Sequence, residues 1–264
     1  MQARPRSIEL EDVRSYRRDG FVVLRELFDH DDLEQLRDMV DNLSQYGSLR
    51  QDRFADRLVV VRNLWQHDER AAQLIWKIAP LASQLIGCDA VRLIDDVTLI
   101  KPARQDGGSA TNWHQDAPNF PFDRRGFLTF WIALEDIAPE QGALSFLTRS
   151  HRIGLLGAID GAGEDVPVEQ LLTADDLDRV GEPVVMALQA GDATVHDGAT
   201  LHAAGPNRTE RPRRAWGVRF VPADTLYTGG AHRSFDGLGL APFMPLDHPD
   251  FPLMGQRKAD RDED

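Results

Sequence analysis

Asn112-Trp113-His114-Gln115-Asp116-Ala117-Pro118-Asn119-Phe120-Pro121 is the stretch that decides how this chain is read. If it runs extended, His114 and Asp116 stand two residues apart and project from one face of a strand. An imidazole and a carboxylate presented together are two of the three ligands of a 2-His-1-carboxylate site. That arrangement holds non-haem Fe(II) on one face and leaves the other face open. Alone, His-x-Asp also fits a strand-edge histidine followed by an aspartate that bonds its own backbone before Pro118. Downstream, His196 and His202 are candidates for a third ligand, and Arg213 follows. A guanidinium grips a carboxylate through two parallel hydrogen bonds, which a lysine cannot do, so Arg213 suits a dicarboxylate. His202 is preferred over His196, because Gly205-Pro206-Asn207 can turn the chain so that Arg213 returns on an adjacent strand.

The flanking sequence predicts a mainly β fold with α-helices at its N-terminal end. Residues 8–19 read as a short helix, and Gly20 then gives way to a β-branched run over 20–27. Acids at 29–32 start a second helix to about residue 44, with Leu33, Leu36, Val40 and Leu43 at helical spacing. Residues 45–66 read as irregular, and Ala71–Ile86 as an amphipathic helix. From residue 90 the texture changes to short strands at 91–100, 126–134, 143–147, 184–188, 193–196 and 215–221, with one or two helical turns at 173–179. Helices followed by many short strands predict a β-barrel or jelly roll buttressed by helices.

Several stretches together resemble the phytanoyl-CoA dioxygenase-like family of Fe(II)- and 2-oxoglutarate-dependent oxygenases. The Trp-His-Gln-Asp motif at 113–116, followed by an aromatic and a proline, is similar to that family's metal motif. Tyr16-Arg17-Arg18-Asp19-Gly20-Phe21-Val22 resembles its opening. Trp131-Ile132-Ala133-Leu134-Glu135-Asp136 with Gln141-Gly142-Ala143-Leu144 resembles the strand after the first ligands. Gly191-Asp192 through His202-Ala203-Ala204-Gly205-Pro206-Asn207 resembles the distal-histidine segment, and Arg211-Pro212-Arg213-Arg214-Ala215 the co-substrate anchor.

The resemblance implies a double-stranded β-helix, a jelly-roll or cupin-like core. It implies His114, Asp116 and His202 as catalytic metal ligands, with His196 lining the pocket. It implies Arg213 on the far carboxylate of 2-oxoglutarate, with Lys101 and Trp131 also contacting that co-substrate. The cofactors implied are Fe(II), 2-oxoglutarate and O2, and the chemistry is hydrogen abstraction from a small organic substrate. Hydroxylation, epimerisation, desaturation or ring closure would all begin that way. Related halogenases lack the carboxylate ligand, so Asp116 argues for oxygen chemistry. Bacterial relatives often tailor secondary metabolites, which suggests a polycyclic or glycosylated natural product and antibiotic biosynthesis. Two departures stand out. Ala204 occupies the place of a small hydroxyl residue two positions after the distal histidine. Thr148-Arg149-Ser150-His151 replaces a Pro-Gly-Ser-His segment.

The 264 residues are read as one oxygenase domain over 1–264. N-terminal helices occupy about 8–86, the jelly-roll core about 90–221, and a pocket segment with a disordered charged tail 222–264. Pocket walls are expected at 45–66, 103–111, 117–125 and 222–245, with Trp65, Phe120, Phe122 and Tyr227 as apolar surfaces and Gly107-Gly108-Ser109 as a mobile lid. A net charge of −13 argues against nucleic acid and anionic membranes as partners. No apolar run approaches a membrane span, and the first residues lack the apolar region of a secretory signal. Cys88 is the only cysteine, consistent with a reducing cytoplasm. Lys77, Lys101 and Lys258 are the only lysines among 30 basic residues, a skew towards arginine that hints at a GC-rich bacterial genome. Two further readings stay open. One is a cupin-like metalloenzyme that makes no use of 2-oxoglutarate. The other is a binding module that keeps the fold without turnover.

Overall fold

Two antiparallel sheets face each other, and the larger is backed by three helices. The computed structural model describes residues 7–46, 51–54, 58–104, 110–157 and 166–255. Helix α1 (Leu10–Asp19) opens in a capping box between Glu9 and Asp12. It stops at Gly20, whose φ of 88° is the left-handed conformation that a residue with a Cβ resists. The chain then enters β1 (Phe21–Leu24), as the switch after Gly20 predicts. Helix α2 (His30–Asp41) is capped by the Asp29 carboxylate, which accepts from the Asp32 amide. Helix α3 (Glu69–Ile86) is capped by Asp68 and closed by Gly87.

The remaining chain is strand and loop: β2 (Gln51–Phe54), β3 (Leu58–Arg62), β4 (Val91–Lys101), β5 (Thr111–His114), β6 (Leu128–Ala133), β7 (Leu144–Leu147), a single helical turn α4 (Ala174–Leu177), β8 (Pro183–Val185), β9 (Ala193–Asp197), β10 (His202–Ala204), β11 (Arg213–Pro222) and β12 (Leu253–Met254). The eight-stranded sheet runs β1-β9-β6-β11-β4-β3-β2, with β12 also on β4. The four-stranded sheet runs β5-β10-β7-β8. This is the expected double-stranded β-helix. Residues 45–66 were expected to be irregular. Instead β2 and β3 form a hairpin that extends the large sheet beside β4. Val59, Val60 and Val61 favour that conformation, although no turn signal in the sequence announces the hairpin.

Alternation sorts the large sheet into two faces. Phe130, Trp216, Val218 and Phe220 point outward into a core built with Leu36, Met39, Leu74, Ile75 and Ile78 of the helices. Trp131, Ala133 and Ala215 point inward and join Phe21, Leu144, Phe146 and Ala204 between the sheets. Asp96 anchors the outward face: its carboxylate accepts from the Trp216 indole at 2.8 Å and from the Trp65 and Leu64 amides at 2.9 and 3.3 Å. A bulge opposite Arg219 and Phe220 interrupts the β4 register and leaves Asp95 beside Arg219 on the inner side. The C-terminal segment folds back as an aromatic cluster of Tyr227, Phe235 and Phe251 against Phe127. The expected charged tail and the Gly107-Gly108-Ser109 lid lie outside the described residues. No described helix is long and apolar enough to cross a membrane.

Candidate active site

Between the inner faces lies a cavity of about 510 Å³, within the range of small-molecule sites. His114 ends β5 and His202 opens β10, and the two are Cα partners across that strand pair. Asp116 reaches the same place by another route. The strand stops at His114, and Asp116 has φ −74° and ψ −45°, starting a short 3-10 turn at Ala117–Asn119. The expectation of a same-face His-x-Asp strand is therefore corrected. Pro118 disfavours continued pairing, and the turn brings the carboxylate round to the imidazoles. His114, Asp116 and His202 each offer a ligand atom, all within 4.8 Å of one another.

The orientation of each group is fixed from behind. The Nδ1 atoms of His114 and His202 lie 2.7 and 3.0 Å from the carbonyls of Asn112 and Thr200. A carbonyl can only accept, so each Nδ1 donates and each Nε2 is the nitrogen turned towards the centre. Asp116 Oδ1 stands 3.9 Å from both Nε2 atoms. Its other oxygen is engaged elsewhere: Thr129 donates to Oδ2 at 2.8 Å, and His196 Nε2 lies 3.5 Å from it. Burial alone would raise the Asp116 carboxyl, but Arg219 together with His196 and His202 outweighs it and holds the group well below the usual carboxylate range. Burial, reinforced by His114 and His196, keeps His202 well below the usual imidazole range and so neutral. Two imidazole nitrogens and one carboxylate oxygen, converging within 4.8 Å, fit a divalent iron.

Gln115, between His114 and Asp116, is fully buried. Its amide donates to the Gly154 and Ala199 carbonyls and accepts from the Leu156 amide, tying the His114–Asp116 segment to the loop ahead of His202. Ser150 and Thr200 secure that loop further, through Leu201 and Gly20. Gln115, Ser150 and Thr129 carry no local signal of these contacts, because their partners are remote in the chain.

Arg213, at the start of β11, is 2 % exposed. It donates to the Gly142 carbonyl at 2.9 Å and stacks over Trp131 at 5.0 Å, while its buried Nε has no hydrogen-bond partner. Burial lowers its pKa to about 10. Lys101 is its Cα partner on β4 and is fully buried. The Lys101 ammonium donates to the Gly205 carbonyl at 2.8 Å, and burial together with Arg213 lowers its pKa to about 6. A buried guanidinium with an idle N–H, a second amine beside it and an indole wall fit the distal carboxylate of a dicarboxylate. The expectation that Arg213 returns on a strand adjacent to His202 is corrected. β10 belongs to the small sheet and β11 to the large one, and Asn207 braces the crossover by donating to the Pro102 and Arg211 carbonyls. Arg214 points away to Glu135, as alternation requires.

Arg219 shares the inner face of β11 with Arg213 and lines the same cavity. Of the expected apolar walls, Phe120 lines it. Phe122 and Tyr227 pack beneath in the aromatic cluster, and Trp65 lies against the helical core. Arg62, His232 and Arg233 line it as well. They lie in the segments 45–66 and 222–245 expected to wall the pocket, although nothing local in the sequence singles out these three side chains.

Comparison with known proteins agrees with this geometry. A methylphosphonate hydroxylase of Gimesia maris is 35 % identical over 143 residues, covering 52 % of this chain and 48 % of that protein. The chain thus spans about half the length of that curated relative. Among solved structures, the α-ketoglutarate-dependent carbocyclase SnoK of nogalamycin biosynthesis superposes with a TM-score of 0.77 at 25 % identity, over 94 % of this chain and 96 % of that one. The epimerase SnoN, in complex with Fe3+, α-ketoglutarate and nogalamycin RO, gives a TM-score of 0.77 at 26 % identity, over 92 % and 97 %. The phytanoyl-CoA dioxygenase model matches residues 16–215, and the chain belongs to that family of dioxygenases.

Proposed function

We propose that this protein is a non-haem Fe(II)/2-oxoglutarate-dependent oxygenase that abstracts hydrogen from a small organic substrate. The observation that carries the proposal is the sharing of one cavity by the His114–Asp116–His202 cluster and the buried Arg213. His114 and His202 would hold iron through Nε2, and Asp116 through Oδ1, its Oδ2 being kept back by Thr129. Arg213, with Lys101 beside it and Trp131 beneath, would orient 2-oxoglutarate by its far carboxylate. When bound, iron with 2-oxoglutarate and dioxygen supplies an oxidant able to take a hydrogen atom from carbon, the co-substrate leaving as succinate and carbon dioxide.

The chain's own contribution is placement. Thr129 of β6 and His196 of β9 line the cavity beside Asp116, and Leu99, Leu144 and Ala204 give it an apolar lining. The structural likeness to SnoK and SnoN supports a bacterial natural-product substrate. Hydroxylation, epimerisation and ring closure share the same first step. The cytoplasm is the compartment that suits this chemistry and the single cysteine.

Anaerobic addition of Fe(II) and then 2-oxoglutarate to the apo-protein tests the reading. A weak visible charge-transfer band should form in wild-type protein and be lost in Arg213→Ala and His202→Ala. Iron-loaded wild-type protein without the band would overturn the proposal in favour of a cupin-like metalloenzyme. A band without succinate release across a substrate panel would favour a binding module.

A further inference from the structure

Arg219 has no part in the proposed co-substrate site, yet it meets both ends of the turn that delivers Asp116. Arg213 and Arg219 share one face of β11 six residues apart, about 20 Å at strand rise, so the two cannot hold one carboxylate. The Arg219 Nε lies 4.0 Å from Asp116 Oδ2, and its guanidinium stacks over Phe120 at 5.6 Å. Asp116 and Phe120 are the residues that flank the 3-10 turn at Ala117–Asn119. His114 and His202 are fixed by a strand ladder, whereas Asp116 has left its strand before that turn begins. A ligand placed in this way needs restraint from side chains around it.

The far side of the same guanidinium is tied down. Nη1 donates to both Asp95 oxygens, each at 3.2 Å, and Arg62 approaches that carboxylate at 3.1 Å. Asp95 is buried on β4, where the bulge leaves it opposite Arg219. Charges thus alternate from Arg62 through Asp95 and Arg219 to Asp116, each beside an opposite partner. Burial would lower the Arg219 pKa, but Asp95 and then Asp116 outweigh it. Asp116 Oδ2 accepts from Thr129 and has capacity for another donor. The Arg219 Nε is buried without a hydrogen-bond partner, as is His196 Nε2 at 3.5 Å from the same oxygen. Of these neighbours only Arg219 carries a permanent charge.

We infer that Arg219, anchored by Asp95, is a positioning residue of the iron site: it clamps the turn from Asp116 to Phe120 and keeps the Asp116 carboxylate aligned for the metal. The inference rests on the proposed function, because it assigns the support of one ligand of that site.

The test titrates Fe(II) anaerobically into full-length apo-protein at saturating 2-oxoglutarate, with the visible band as readout and thermal melts as the check on folding. Arg219→Gln should weaken Fe(II) binding about 10- to 100-fold, and Arg219→Lys, which keeps the charge, should recover part of the loss. Asp95→Asn should weaken it about tenfold. In the Arg219→Gln background Asp95→Asn should add little, because Asp95 acts through Arg219; a residue needed only for general packing would give additive losses. Should Arg219→Gln fail to fold, Arg219→Lys takes its place in the same cycle. Unchanged Fe(II) affinity in the folded single variants would overturn the inference, and so would additive losses in the double variant. In either case a normal wild-type band leaves the proposed function standing. A wild-type protein that forms no band would overturn the proposed function and this inference with it.

Discussion

His114 and His202 are Cα partners across β5 and β10, with ring centroids 4.2 Å apart. The pairing places two imidazoles on one strand ladder, so the small sheet itself sets their separation. Asp116 arrives from a turn and depends on its neighbours to stay in place.

Thr129 is the neighbour that decides which Asp116 oxygen faces the histidines. Thr129→Val should weaken Fe(II) affinity about 10- to 100-fold, the usual cost of losing a partner behind a metal ligand. A metal titration monitored by intrinsic fluorescence checks this. Unchanged affinity would mean that Thr129 does not orient the carboxylate.

Arg213 should tolerate no conservative change. Arg213→Lys keeps the charge but loses the planar fork, and 2-oxoglutarate affinity should fall about 100-fold, nearly as far as in Arg213→Ala. Calorimetric titration of 2-oxoglutarate into the iron-loaded variants measures the difference.

Lys101, if it meets the co-substrate as proposed, should make 2-oxoglutarate binding depend on pH. With a pKa lowered to about 6, its amine is mostly neutral at pH 7.5 in the free protein. An arriving carboxylate favours the ammonium, so 2-oxoglutarate binding should take up as much as one proton and weaken as pH rises. Calorimetry in buffers of different ionisation enthalpy reads that uptake, and Lys101→Met should abolish it. Because the unfolded chain binds the proton up to about pH 10.5, the same group makes the free protein more stable as pH rises from 6 towards that value. Lys101→Met should flatten that slope in thermal melts.

Thr111 lies directly opposite Ala204 across β5 and β10, with its hydroxyl 3.5 Å from the Lys101 amine. The hydroxyl absent from position 204 is thus present on the facing strand. Thr111→Val should raise the KM for 2-oxoglutarate several-fold, about the worth of one hydrogen bond, and Ala204→Ser should restore part of it. No recovery in the double variant would separate the two positions.

Asp96 is a prediction about stability. Asp96→Asn supplies one acceptor oxygen where the carboxylate supplied two, and should cost about 1–3 kcal/mol. Burial raises the Asp96 pKa to about 7 despite its three N–H donors. A raised folded-state value favours the protonated native protein, so this contribution is full below the ordinary carboxylate pKa and is lost as pH climbs to about 7. Denaturant melts across pH 4–8 should show that decline in wild-type protein and not in Asp96→Asn.

Local chemistry made much of this legible in the chain. Gly20 marks a helix end, the acids at 29–32 mark a helix start, and the short β-branched runs after residue 90 mark strands. His114, Asp116, His202 and Arg213 stood out because metal and carboxylate recognition demand those residue types. Tertiary structure alone decided the rest. It turned Asp116 out of the strand, set Thr129 and Gln115 behind the ligands, and sent β10 and β11 to different sheets. It also brought Arg62 and Arg233, from opposite ends of the sequence, to one cavity. Periodicity and capping act over a few residues. Which strands become neighbours is set by burying two sheet faces at once, and that constraint spans the whole chain.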